Sequence, residues 1–142
     1  PYQAIEVHET EPFGKLFRLD GHFMTSEQDE FFYHENLVHL PGITHPAPEC
    51  ALIVGGGDGG SAEELLKYPS MKKVTLAEID MAVVDVSRKY LASVHKGSLD
   101  DPRAIRLGVK PRDVFCDRAI EEGDPLGQIT DQTPEHVRII LV

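Results

Sequence analysis

The run from Gly55 to Gly60 reads Gly-Gly-Gly-Asp-Gly-Gly, five glycines interrupted by the single carboxylate of Asp58. Gly55, Gly57 and Gly60 satisfy the spacing G-x-G-x-x-G, and Glu78 follows 18 residues after Gly60. In such an arrangement the glycines let the backbone turn sharply and approach a ligand, the following helix start attracts its polar part, and an acid at a strand end binds both hydroxyls of a ribose. The chemistry indicated is recognition of an adenosine-type ligand; a glycine-rich turn with no ligand is the alternative. Asp58 narrows the choice. A carboxylate at the centre of a phosphate cradle repels a dinucleotide, and like charges close together in a dry site cost on the order of several kcal/mol. The same repulsion acts on the carboxylate of S-adenosylmethionine. A ligand ending in an amine without a carboxylate is attracted instead. The plainer reading has Asp58 serve only as a helix cap.

For these residues to meet, a strand must precede the glycines, a helix must follow them, and a second strand must end near Glu78. Residues 51–54 (Ala-Leu-Ile-Val) read as a short strand buried on both faces. Residues 61–67 read as a helix with acids in its first turn, and residues 74–80 as a second core strand closing on two acids. Residues 81–91 form a further helix with Val83, Val84 and Val86 as core candidates. This βαβα order with short connections predicts parallel strands and right-handed crossovers. Upstream, residues 2–9 alternate in part as a half-buried strand, and Asp20-Gly21 between residues 15–19 and 22–25 signals a hairpin. A small antiparallel sheet is therefore expected first. Ser26 is placed to cap a helix carrying Phe31, Phe32, Tyr33, Leu37 and Val38, with Glu27, Asp29 and Glu30 near its positive end and Pro41-Gly42 stopping it. Pro46 and Pro48 make a stiff linker. Residues 105–109 and 137–142 are further strand candidates.

At 142 residues the chain is long enough for one domain with a small appendage. The division expected is residues 1–48 for the antiparallel region with its linking helix and 49–142 for the nucleoside-binding part. The net charge of −10 disfavours nucleic acid or an anionic membrane as partner and suits a cationic small molecule. No run approaches the ~18 apolar residues of a membrane span, and no targeting signal is visible. Cys50 and Cys116 match no metal spacing and read as reduced thiols, consistent with a cytoplasmic protein. His8, His22, His39, His45, His95 and His136 likewise show no metal spacing and read as surface or packing residues.

Beyond these local features, the chain resembles the polyamine aminopropyltransferases, the spermidine synthase family. The matching stretches are Tyr2-Gln3, Leu19-Asp-Gly21, the run Thr25-Ser-Glu-Gln-Asp-Glu-Phe-Phe-Tyr-His-Glu35, the Gly55 to Gly60 loop, Ala77-Glu-Ile-Asp80 and Asp100-Asp-Pro-Arg103. The resemblance implies a Rossmann-like α/β domain of the class I methyltransferase type, preceded by a small antiparallel β region. It implies transfer of an aminopropyl group from decarboxylated S-adenosylmethionine to putrescine or a related polyamine, giving spermidine and methylthioadenosine. No tightly bound cofactor is implied, and family members are dimers or tetramers. Gln3 and Glu78 would hold the nucleoside, with Gly55, Gly57 and Gly60 around it. His34 and Asp58 would face the amine-bearing groups, and Tyr33 would join the substrate site. Read from the residues alone, His34 and Tyr33 also suit packed core positions.

After Arg103 the match weakens. In the family a strand ending in Gly-Asp-Gly contacts the adenine; the nearest equivalent here is Gly123-Asp124-Pro125, which makes Asp124 a further nucleoside-binding candidate. Residues 139–142 (Ile-Ile-Leu-Val) echo the family's next strand, and the resemblance places the Asp-x-x-Asp-Pro motif that supplies the family's base directly after Val142. That motif is absent from the sequence, so no catalytic aspartate is assigned. The sheet is expected to be incomplete at its C-terminal side and the activity impaired. Two other readings remain: a non-catalytic family remnant that binds a nucleoside or a partner subunit, and an S-adenosylmethionine-dependent methyltransferase, which Asp58 disfavours.

Overall fold

The computed structural model describes residues 2–108 and the backbone of residues 138–141. Three strands, β1 (Ile5–Thr10), β2 (Gly14–Leu19) and β3 (His22–Ser26), form an antiparallel sheet in that order. Asp20 and Gly21 both take positive φ, 48° and 78°, so the β2–β3 connection is the tight hairpin turn that Asp-Gly favours. A second sheet holds β4 (Cys50–Val54), β5 (Lys73–Glu78), β6 (Ala104–Gly108) and β7 (Arg138–Leu141), in the spatial order β6-β5-β4-β7. Every pairing in it is parallel, as the βαβα pattern predicts. Residues 74–78 of β5 are all buried, whereas β4 alternates buried Ala51 and Ile53 with half-buried Leu52 and Val54. The strand covered on both faces is thus β5 rather than β4. Of the strand expected over residues 137–142, residues 138–141 form β7; Val137 and Val142 lie outside the described residues.

The helices are α1 (Glu30–Gly42), α2 (Gly60–Leu66), α3 (Met81–Tyr90) and the short α4 (Ala92–His95). Among the described residues no helix is long and apolar enough to cross a membrane. Two boundaries differ from the sequence reading. Ser26 ends β3 instead of capping α1; its hydroxyl donates to the Asp29 carboxylate, and Asp29 precedes the first helical residue. The intervening turn is pinned by Glu27, which accepts the Lys15 N–H at 2.8 Å and the Ser93 hydroxyl at 2.6 Å. At the other end Pro41 lies inside the last turn of α1 and does not stop it, the Ile43 N–H closing the turn on the His39 carbonyl at 2.9 Å.

The larger correction concerns which face of α1 is inside. Its buried residues are Glu30, His34, Val38 and Gly42, one every four positions. Phe31, Phe32 and Tyr33 point outward, Tyr33 with 58% of its surface exposed, so the packed-core reading of Tyr33 does not hold. The inward stripe packs on α2, and two glycines make that possible. A Cβ on Gly60 would overlap the His34 ring, and one on Gly42 would overlap the Tyr68 hydroxyl. Gly60 of α2 thus admits a ring from α1, Gly42 of α1 admits the ring of Tyr68 two residues past α2, and the i, i+4 spacing that builds the stripe overrides the apolar count.

Val38, Ala51, Ile53, Ala62, Leu65, Met71 and Val74 form the core under α1 and α2. A second cluster joins the two sheets' territories: Phe17 of β2 packs with Val83 of α3, Leu91 and Val94, flanked by Ile5, Val7, Leu19 and Val86. Removing Phe17, which is 1% exposed, should therefore uncouple the antiparallel sheet from α3. Phe17→Ala is expected to cost ~3–5 kcal/mol in urea denaturation. Phe23→Ala one strand away, where the ring is 71% exposed under a guanidinium, should stay within ~1 kcal/mol.

Candidate nucleoside and amine site

The glycine turn leaves the end of β4 with Gly55, Gly56 and Gly59 at φ of 82°, 69° and 82°, values that side-chain-bearing residues rarely adopt. Gly57 is ordinary in φ but has no room: a Cβ there would come within 2.8 Å of a Glu78 oxygen and 2.7 Å of Val83. The Gly57 N–H donates to Glu78 Oε2 at 3.0 Å, and the Asp80 N–H donates to Oε1 of the same carboxylate, also at 3.0 Å. Glu78 is only 5% exposed and lies on the floor of the turn, its orientation set by two backbone donors. Each oxygen keeps a lone pair with which to accept from a ribose hydroxyl.

Asp80 extends this line. Its Oδ1 accepts the Ala82 N–H at 3.1 Å and so caps α3, while its Oδ2 accepts from Gln3 Nε2 at 3.4 Å. Gln3, Asp80, Glu78 and Gly57 thus form one connected polar chain, although 75 positions separate Gln3 from Glu78. The expected nucleoside residues Gln3, Gly57 and Glu78 come together. Asp124 lies outside the described residues, as does Val142, the residue the resemblance sets directly before the family's catalytic motif. No catalytic base is assigned to this chain.

The other side of the turn carries Asp58 and His34. Asp58 Oδ1 accepts the Gly60 N–H at 2.8 Å, a local turn contact and not the helix cap of the plainer reading, since Gly59 is the N-cap of α2, and the same oxygen is 3.5 Å from His34 Nε2. Among the described residues none engages its other oxygen. His34 is 1% exposed, and its Nδ1 lies 2.7 Å from Glu30 Oε2. An ionised carboxylate only accepts, so carboxylates beside both ring nitrogens favour the doubly protonated form of the ring. Burial opposes that charge, but the facing Asp58 and then Glu30 outweigh it, and the pKa of His34 is raised above the usual histidine value. His34 therefore sits behind Asp58 rather than in the open.

Tyr33, one residue earlier and turned by about a quarter circle, lines a different hollow of about 280 Å³ with Phe23, Met24, Thr25, Phe32 and Glu30. It is not brought to the glycine turn. Glu30 touches both regions, since it lines that hollow and also holds His34. Sequence reading gave Glu30 and Asp80 no part in the site. Glu30 four residues before His34, and Asp80 directly before a helix, were the signals available.

A parallel sheet, a glycine turn after its central strand and an acid at the end of the next define a Rossmann-like nucleoside-binding domain. The comparisons specify which. Residues 30–110 match the family model described as the spermine/spermidine synthase domain. The chain belongs to that family. A polyamine aminopropyltransferase of Nitrosomonas europaea is 59% identical over 109 residues, which is 76% of this chain and 34% of the relative. One from Bacillus subtilis is 56% identical over 102 residues, or 72% of this chain and 37% of the relative. The crystal structure of a spermidine synthase in complex with the transition-state analogue AdoDATO is 47% identical with a TM-score of 0.73, covering 75% of this chain and 36% of that one. The spermidine synthase of Thermotoga maritima is 46% identical with a TM-score of 0.74, covering 77% and 38%. The chain spans between 34% and 48% of the length of these curated relatives and others like them.

The raised pKa of His34 has a consequence for stability. A group whose pKa is higher folded than unfolded stabilises the fold below its unfolded value, about 6.5 for histidine, and loses that contribution as pH rises through the folded value. Unfolding free energy measured in urea should therefore fall as pH is raised above about 6.5. His34→Gln should flatten that limb of the profile. An identical slope in the variant would show that other groups carry it.

Proposed function

We propose that this chain is the donor-binding part of a polyamine aminopropyltransferase, taking decarboxylated S-adenosylmethionine as co-substrate and releasing methylthioadenosine. The acceptor is putrescine or a related polyamine, no tightly bound cofactor takes part, and the working form is a cytoplasmic homodimer or homotetramer. The single observation carrying this reading is Asp58, a carboxylate placed in the glycine turn with one oxygen tied to Gly60 and the ring of His34 and the other unengaged by the described residues. Next to it Glu78 and Gln3 offer a nucleoside its ribose contacts.

The donor's chemistry suits that arrangement. Decarboxylated S-adenosylmethionine carries a sulfonium and a primary ammonium and no carboxylate, so its tail is cationic throughout. The carboxylate of intact S-adenosylmethionine would meet Asp58 at close range. In the transfer a neutral amine nitrogen attacks the carbon next to the sulfonium; the N–C bond forms as the C–S bond breaks, the pair leaves with sulfur as methylthioadenosine, and the new ammonium gives up a proton. Alignment supplies much of the rate of such a displacement. The residues of this chain hold the nucleoside and the ammonium; the Asp-x-x-Asp-Pro motif from which the family draws its base is not in this sequence.

Calorimetric titration separates this reading from methyl transfer. The chain should bind decarboxylated S-adenosylmethionine in preference to S-adenosylmethionine, and Asp58→Asn should reduce that preference by about tenfold or more, the scale of a lost close charge pair. Tighter binding of intact S-adenosylmethionine by the unaltered chain would favour a methyltransferase. An unchanged preference in Asp58→Asn would remove the charge argument.

A further inference from the structure

Glu30 has no place in the nucleoside contacts and is not near the glycine turn in sequence, yet it is 6% exposed and its carboxylate is committed to His34 at 2.7 Å. Burying an acid is unfavourable unless a charge or hydrogen bond compensates it. The near compensation is one histidine, with Lys96 farther off at 3.7 Å, and that histidine has a second carboxylate on its far side. We propose that Glu30 is a positioning residue for the amine end of the donor site: it fixes the proton and orientation of His34, and through the ring it fixes the position and net charge of Asp58. This rests on the aminopropyl-donor reading above.

The geometry makes Glu30 the anchored end of the line. It lies in the first turn of α1, four residues before His34, where side chains stack along one face. The His34 ring fills the space that Gly60 leaves open, so it cannot swing toward α2. Its Nε2 then points at the turn, 3.5 Å from Asp58 Oδ1. The charges facing this line come from four places. Glu30 and His34 belong to α1 and Asp58 to the glycine turn. Lys96, after α4, reaches within 3.7 Å of both Glu30 Oε1 and Glu63 Oε1 of α2. Glu63 is itself paired with Lys67 at 3.0 Å, so with His34 protonated the inner line of Glu30, His34 and Asp58 sets two carboxylates against one cation. That unit of negative charge is what an incoming ammonium neutralises.

Taking away the Glu30 charge harms the site by either route open to it. If His34 stays protonated, it cancels Asp58 and nothing is left over for the ammonium. If His34 loses its proton, Asp58 loses the donor that holds it. A purely structural glutamate would do neither; its loss would loosen the fold and weaken all ligands together.

The test uses the full chain with ¹³C,¹⁵N-labelled histidine. The His34 ring is titrated by NMR without ligand, and affinities for decarboxylated S-adenosylmethionine and methylthioadenosine are measured by calorimetry. In Glu30→Gln the His34 titration should move down by about one pH unit, the scale of one lost charge partner. Donor affinity should fall about tenfold, while methylthioadenosine, which lacks the amine, stays within about twofold. Glu30→Asp, which keeps the charge and is least prone to unfold, should recover part of both shifts. An unmoved His34 titration in Glu30→Gln overturns the proposal. So does an equal loss of both ligands. Failure of the unaltered chain to bind either ligand would instead overturn the functional reading, and the ligand-free titration would still report whether Glu30 controls His34.

Discussion

A buried histidine between two carboxylates is the constraint around which this molecule is arranged. The pairing of Glu30, His34 and Asp58 sits where α1 crosses α2, and it ties a helix that leaves the antiparallel sheet to the turn that leaves β4. Each partner is expensive to bury alone and acceptable in company. The cost is met only if the ring can enter the crossing, and Gly60 alone on α2 leaves it room. The glycine that sequence patterns assign to helix–strand packing here makes space for a histidine ring on a neighbouring helix. The same residue thus serves the ligand turn through its N–H and the helix crossing through its missing side chain.

A second crossing contact shows that the device is repeated. Near the far end of α1, Gly42 gives way to Tyr68, while His39 bridges the Tyr68 hydroxyl at 3.0 Å and the buried Glu64 at 2.9 Å. Glu64 also accepts from Lys67 at 2.7 Å, and its pKa is lowered, burial being outweighed by Lys67 and its other donors. The α1–α2 interface is therefore bounded by polar networks at both ends with Val38, Ala62 and Leu65 between them. Such an interface has little tolerance for sliding, because a shift of one turn would separate every charge from its partner.

Much of the architecture was legible because it follows from local rules. Asp20-Gly21 gave the hairpin, the four-residue apolar run gave β4, and Glu78 fell at the end of β5 as the motif spacing requires. What could not be read was the inward face of α1. Phe31, Phe32 and Tyr33 are larger and more apolar than Glu30 and His34, so composition puts the aromatics inside. The structure reverses this because a polar pair that completes its hydrogen bonds, with a glycine opposite, satisfies the crossing better than three adjacent rings that point in three directions. Asp80 was visible as an acid but not as the link to Gln3, since nothing local says that residue 3 returns to the end of β5. His95 was read as surface or packing and is packed, lying against Gly59 with burial lowering its pKa.

The strand order β6-β5-β4-β7 has a consequence beyond the residues it carries. Starting at β4, the chain moves outward through β5 to β6 on one flank and later returns to lay β7 on the other. In open parallel sheets the place where strand order reverses, here between β4 and β7, is a topological switch point beside which a crevice opens. Its location is dictated by connectivity and not by the loop that borders it. In a frame of this kind the charge at the lip can change while the fold stays as it is. In this chain that lip is residue 58.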